Sequence, residues 1–352
     1  LRFSFEEDVL ANSYIDLNPS YDESQNAYPI RISVKEGTDM TSLAPIFELT
    51  PGATISPASG SVQNFTTPVR YTVTSEDKAW HRVYAITARE QKASNIPTTY
   101  HFEKVRIMQN VWQEFYEEQD SGNELTWASG NKGFKWAMSE AATEDYPTTQ
   151  IDNGKTGKCV KLETRLTGDL GNMVGMPIAA GNLFIGSFDM LNAITNPLSA
   201  TRFGTPFYNK PLRLTGYYKY KAGEQFYENG EYTSRKDIFN IYAIFYDGVK
   251  YDSAGKGTDV TLDGNLPNQN YEHSSMVALA LVSNPQETEG DEWKFFDIPF
   301  DYQRYGKKID EARLAKGEYK IGIIFASSKD GATFEGAPGS TLLIDEVELI
   351  YE

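Results

Sequence analysis

Residues 212–221 read Leu212-Arg213-Leu214-Thr215-Gly216-Tyr217-Tyr218-Lys219-Tyr220-Lys221. In an extended chain, successive side chains point to opposite faces. Leu212, Leu214, Gly216, Tyr218 and Tyr220 then share one face, and Arg213, Thr215, Tyr217 and Lys219 share the other. The first set suits a core. Turned inward, the second would bury two cations without partners, at a cost of several kcal/mol each. The stretch therefore reads as a strand with one side in the core and one side open to water or to a polar groove. Residues 293–300 split in the same way: Phe296, Ile298 and Phe300 on one face, Trp293, Phe295 and Asp297 on the other.

Outward from these two stretches, extended segments recur at 158–163, 183–189, 238–246, 276–282, 318–325 and 341–351. Eight or more strands in about 250 residues, joined by long loops, predict a jelly roll or a related two-sheet sandwich. One helical turn is expected at 310–316. Nearer the N-terminus, Ile30, Ile32 and Val34 alternate with polar residues, as do Val69, Tyr71 and Val73. These short strands, punctuated by Gly, Pro and Ser, predict an antiparallel sandwich. Ser94-Asn95-Ile96-Pro97-Thr98 is polar, carries a proline and breaks the period, so it reads as a linker. The expected fold is all-β: a small antiparallel sandwich at 1–93, a linker at 94–98 and a larger jelly-roll sandwich at 99–352.

A chain of 352 residues fits two or three domains. Its net charge of −16 would repel phosphate backbones and argues against a nucleic-acid partner. The sequence holds 22 Tyr, 19 Phe and 5 Trp, and Tyr and Trp suit sites that are part apolar and part wet. A single cysteine, Cys159, excludes a disulfide within the chain and a cysteine-rich zinc site. His81, His101 and His273 lack metal-ligand spacing. No apolar run approaches the ~20 residues that span a bilayer. The first residue is Leu rather than Met, which reads as a mature or truncated chain.

Four ordered blocks are more specific. They are Ala179 to Phe188, Arg202-Phe203-Gly204-Thr205-Pro206-Phe207, Lys210 to Tyr220, and Ser327 to Ala337 running into Gly339 to Val347. With Trp127-Ala128-Ser129-Gly130-Asn131, they resemble the putative carbohydrate metabolism domain found in surface proteins of gut-dwelling Gram-negative bacteria. The resemblance covers about residues 99–352. It implies a jelly roll similar to carbohydrate-binding modules and a link to glycan use, and it hands over no catalytic residue. Residues 1–93 resemble the small immunoglobulin-like domains that precede such modules, usually as spacers behind a lipid-anchored N-terminus. On that basis the protein is expected to be exported, in the periplasm or at the outer-membrane surface. The membrane would be reached only through an N-terminal anchor outside this chain.

Sugar rings offer apolar C–H faces and hydroxyl edges, so a site for them needs a flat aromatic beside polar side chains. Tyr217 and Trp293 are the expected stacking residues. Arg213, Lys219, Asp297 and Asn131 are the expected hydroxyl partners, with Trp127 on its Gly-containing loop closing one end. A glycosidase needs two carboxyl groups about 5–9 Å apart. Glu346 and Glu348 have a matching i, i+2 spacing on a strand, although solvated charges explain them as well. The Glu-x-Asp-x-x-Glu pattern of jelly-roll glucanases, the EF-hand, the phosphate-binding glycine loop and the nucleophile elbow do not occur. No cofactor is required. Glu103 and Asp345 resemble the positions at which related modules hold a structural calcium between first and last strands, with ordinary edge acids as the alternative. The expected function is non-catalytic binding of an oligo- or polysaccharide. A glycoside hydrolase with two convergent carboxylates and a structural or adhesive surface protein are the alternatives.

Overall fold

In a computed structural model of the chain, residues 2–352 are described apart from 7, 12–14, 16, 18, 92, 120 and 121. The chain is nearly all β and divides at Ala93/Ser94 into two compact units.

In the first unit, Tyr28–Lys35, His81–Gln91, Val69–Thr74 and Thr54–Ser56 form a four-stranded sheet in that order. Arg2–Ser4 pairs separately with Ile46–Glu48. Ile30, Ile32 and Val34 fill the core with Phe47, Phe65, Tyr71 and Ile86, as their alternation demands. One pairing departs from the antiparallel expectation: Tyr28–Lys35 and His81–Gln91 run parallel. A parallel pair needs a long crossover, and here all of 36–80 supplies it.

The second unit is a sandwich of two antiparallel sheets. One holds Thr148–Asp152, Lys158–Glu163, Thr341–Tyr351, Pro211–Lys221 and Lys294–Pro299 in that order, with Thr99–Tyr100 also pairing with Thr341–Tyr351. The other runs Asn182–Phe184, Tyr319–Ala326, Asn240–Asp247, Met276–Leu281, with Thr205–Pro206 also pairing with Tyr319–Ala326. Leu162, Leu214, Tyr218 and Val347 from the first sheet meet Ala243, Phe245, Ile323 and Phe325 from the second. The second sheet is covered on its other side too, where Tyr242, Ile244, Tyr246 and Ile324 pack against Phe203, Leu262 and Tyr271. Burial on both faces accounts for its unbroken apolar runs. The first sheet has polar residues on its outer side, so the mixed face read from 212–221 lies there.

Two local predictions have clear outcomes. A short helix, Glu311–Leu314, starts where Asp310 accepts the Ala312 and Arg313 N–H groups, a side-chain cap. Residues 94–98 are not a free linker. Ile96 is buried in the sandwich core, the Asn95 amide donates to the Pro206 carbonyl at 2.8 Å, and Leu349 N donates to Thr98 O at 2.7 Å. The apolar side chain of Ile96 outweighs the polarity of its neighbours. Among the described residues no helix is long and apolar enough to cross a membrane.

Candidate functional site

Lys294–Pro299 pairs directly with Pro211–Lys221, which brings the two mixed faces together. Tyr217 lies opposite Phe295, with ring centroids 5.1 Å apart and planes tilted by 53°. Thr215 lies opposite Asp297, and Arg213 Nε donates to Asp297 Oδ1 at 2.6 Å. Lys219 Nζ donates to Asp291 Oδ1 at 2.7 Å and stands 5.0 Å from the Trp293 ring centroid. From the loop after Thr148–Asp152, Lys155 Nζ reaches to 4.8 Å from the Tyr217 ring centroid. Arg213, Tyr217, Lys219, Trp293 and Asp297 therefore share one face with Phe295, which is 53% exposed. The face offers aromatic surface ringed by cations and carboxylates, the combination that suits C–H faces and hydroxyl edges.

Trp127 and Asn131 lie elsewhere. Trp127 is 1% exposed and packs against Tyr100, Phe102 and Phe325, with centroids 5.0, 5.7 and 5.9 Å away. Asn131 is wholly buried; its amide donates to Thr148 O at 2.7 Å and its Oδ1 accepts from Thr148 N at 3.1 Å. Neither can present itself on an open glycan face. A large indole gains most by burial, and the Asn131 amide satisfies a backbone N–H and C=O that would otherwise be orphaned.

Trp127 does contribute a wall to a hollow of about 330 Å³, which it lines with Trp112, Glu114, Ser129, Lys132 and Ser187. Both indole N–H groups are buried without a hydrogen-bond partner among the described residues. Beside it lies a small sheet of Val105–Met108, Trp112–Glu118 and Glu124–Thr126. Burial pushes the Glu114 carboxyl above its usual range, and its interaction with Glu124 adds to the rise. A hydrogen bond from Arg106 holds Glu124 below its usual range. Arg106 also lies 3.9 Å over the Tyr116 ring centroid. The alternation Trp112, Glu114, Tyr116, Glu118 was the available signal for this face, but the strands that flank it are only four and three residues long.

Glu103 and Asp345 approach one loop. Glu103 Oε1 accepts from Lys158 N at 2.7 Å. Asp345 is wholly buried; its Oδ2 accepts from Thr156 N at 3.0 Å and its Oδ1 from Glu346 N at 2.8 Å. Burial pushes its carboxyl up to about 6. Calcium requires oxygen donors, yet here N–H groups are aimed at the carboxylates. Among the described residues no three His, Cys, Asp or Glu side chains cluster to hold a metal. The arrangement is a clasp on the loop, and chelation would reveal whether a structural calcium also joins Glu103 and Asp345.

Glu346 and Glu348 do not lie on a regular strand. The pairing with Pro211–Lys221 slips between Thr215/Glu348 and Tyr217/Asp345, and Glu346 is the extra residue, with φ +48°. Its carboxylate is 3.1 Å from His101 Nδ1. The bulge alters the i, i+2 spacing that suggested a catalytic pair. Cys159 is buried, with its thiol pushed up to about 12 by desolvation, and behaves as a small apolar residue.

The family model described as the putative carbohydrate metabolism domain matches residues 101–350, and the SGBP N-terminal model matches residues 16–88. Among solved structures, one from Bacteroides vulgatus is 50% identical with a TM-score of 0.68 and covers 74% of this chain and all of its own. One from Bacteroides thetaiotaomicron is 44% identical with a TM-score of 0.66, covering all of this chain and 96% of its own. Both are described as putative glycoside hydrolases. No curated protein matches.

Proposed function

The chain belongs to the putative carbohydrate metabolism domain family, and from that premise we propose that it binds an oligo- or polysaccharide without cleaving it. The observation that carries this reading is the outer sheet face, where Tyr217, Phe295 and Trp293 lie among Arg213, Lys219 and Asp297. A sugar ring stacks on the exposed aromatic surface, and its hydroxyls bridge the charged groups at the rim. The Arg213–Asp297 pair is itself only partly exposed, so it offers oriented donors and acceptors rather than mobile ones. The SGBP N-terminal match and the Bacteroides relatives support an exported protein, in the periplasm or on the outer-membrane surface. A glycan array run beside a reducing-sugar release assay tests the function. Saturable binding with no release supports it, and release of reducing ends overturns the non-catalytic part.

A second reading, glycoside hydrolysis, has its own observation. The two Bacteroides structures are both described as putative glycoside hydrolases, and burial raises the Glu114 carboxyl above its usual range, as a general acid requires. Glu114 also borders the hollow by Trp112. Reducing-sugar release that disappears in Glu114→Gln would favour this reading; release unchanged in that variant would remove Glu114 from it.

A further inference from the structure

A second opening in the large unit has the opposite chemistry. Three short helices, Asn131–Ala137, Gly168–Met173 and Met190–Thr195, surround a cavity of about 130 Å³. Phe134, Trp136, Met176, Phe188, Met190 and Phe334 supply its larger side chains. Small residues such as Gly130, Gly133, Ala137, Gly171 and Ala193 make up much of the rest of its lining. Close-packed interiors hold few voids much larger than a water molecule, and an apolar cavity of roughly 150 Å³ can stay dry and admit benzene. Its polar side chains are only Thr167, Asn182 and Thr201, too few to replace the water that the several hydroxyls of a sugar would lose. The same helices carry Met173 and Leu191, 83% and 84% exposed.

We propose that this cavity binds a single aromatic ring, carried either by a free small molecule or by an aryl substituent on a sugar. Aromatic and Met side chains match its flat, polarizable faces. The proposal is independent of the sheet face, since no residue of that face lines the cavity. Calorimetric titration with 4-methylphenol, 4-methylphenyl β-glucoside and glucose tests it. Saturable binding of 4-methylphenol in the range of about 1 mM or tighter is expected, with none for glucose. Binding by the glucoside alone assigns the ring to a sugar-borne group and also supports the proposal. Ala193→Phe, which fills the cavity from the Met190–Thr195 helix, should weaken ring binding at least about tenfold. Ala332→Met, from another wall, serves if the first variant melts early. Absence of binding by both aryl probes, equal binding by glucose, or unchanged affinity in the filled variants would overturn the proposal.

Discussion

Tyr217 is held on two sides, by Phe295 across the strand pair and by Lys155 above its ring. Losing a stacking aromatic should weaken glycan binding by ~1–3 kcal/mol, by analogy with bases stacked on aromatics. Tyr217→Ala and Trp293→Ala, titrated separately with a glycan identified on the array, should both show this loss with melting temperatures near wild type. Normal binding in both would move the site away from this face. Asp345 supports a different test. Its carboxyl is raised from an ordinary value of 3.8 to about 6 by burial, so the folded state holds its proton more tightly than the unfolded chain. That contribution to stability is full below about pH 4 and lost as pH rises through about 6. In the presence of chelator, Asp345→Asn should gain on wild type by on the order of 2 kcal/mol between pH 4 and pH 7, read by urea unfolding. A difference flat with pH would refute the burial penalty. The contrast between Tyr217 and Trp127 also marks what single residues reveal. Tyr217 lies in a strand whose alternation assigns it a side. Trp127 follows a strand of three residues, too short to assign a side, and chemistry alone does not separate a stacking indole from a core one.

The Pro211–Lys221 strand was legible because its two faces differ so sharply, and Lys158–Glu163 and Thr341–Tyr351 were legible for the same reason. Sequence could not say which strands are neighbours, because register and order depend on contacts distant along the chain. The three short helices were missed. Gly168–Met173 contains two glycines, and neither it nor Asn131–Ala137 has a side-chain cap, so propensity and capping signals are both weak. The loop at 153–158 is an element with its own test. A Cβ on Gly154 would come within 2.6 Å of Lys158 O and 2.7 Å of Asp345 Oδ2, and backbone cannot easily give way. Gly154→Ala should destabilise the fold by about 1–3 kcal/mol, measured by chemical denaturation; a loss below about 0.5 kcal/mol would mean the loop shifts freely. If calcium occupies the clasp, chelation lowers the melting temperature and added calcium restores it. An unchanged melt, with no metal found by elemental analysis, removes the ion and leaves the N–H groups as the clasp's partners.

At the scale of the whole molecule the division falls at Ala93/Ser94. Because 94–98 is packed into the larger unit, limited proteolysis should cut just before Ser94 and leave a stable fragment running to the C-terminus. N-terminal sequencing of that fragment checks the position; recovery of only whole chain or small peptides would show that the larger unit does not stand alone. The first unit also has a mechanical consequence. Tyr28–Lys35 and His81–Gln91 are paired in parallel from Tyr28/Tyr84 to Lys35/Gln91. Tension applied between Tyr28 and Gln91 therefore enters the ladder at one end and leaves at the other, sliding the strands lengthwise and straining its hydrogen bonds together. The antiparallel pair Val69–Thr74 with His81–Gln91 presents Val69 opposite Ile86, so a pull between those two would open its bonds one after another. In an optical trap, attachment at 28 and 91 should give a higher rupture force than attachment at 69 and 86. Between Tyr28 and Gln91 this unit would resist stretching as a stiff link.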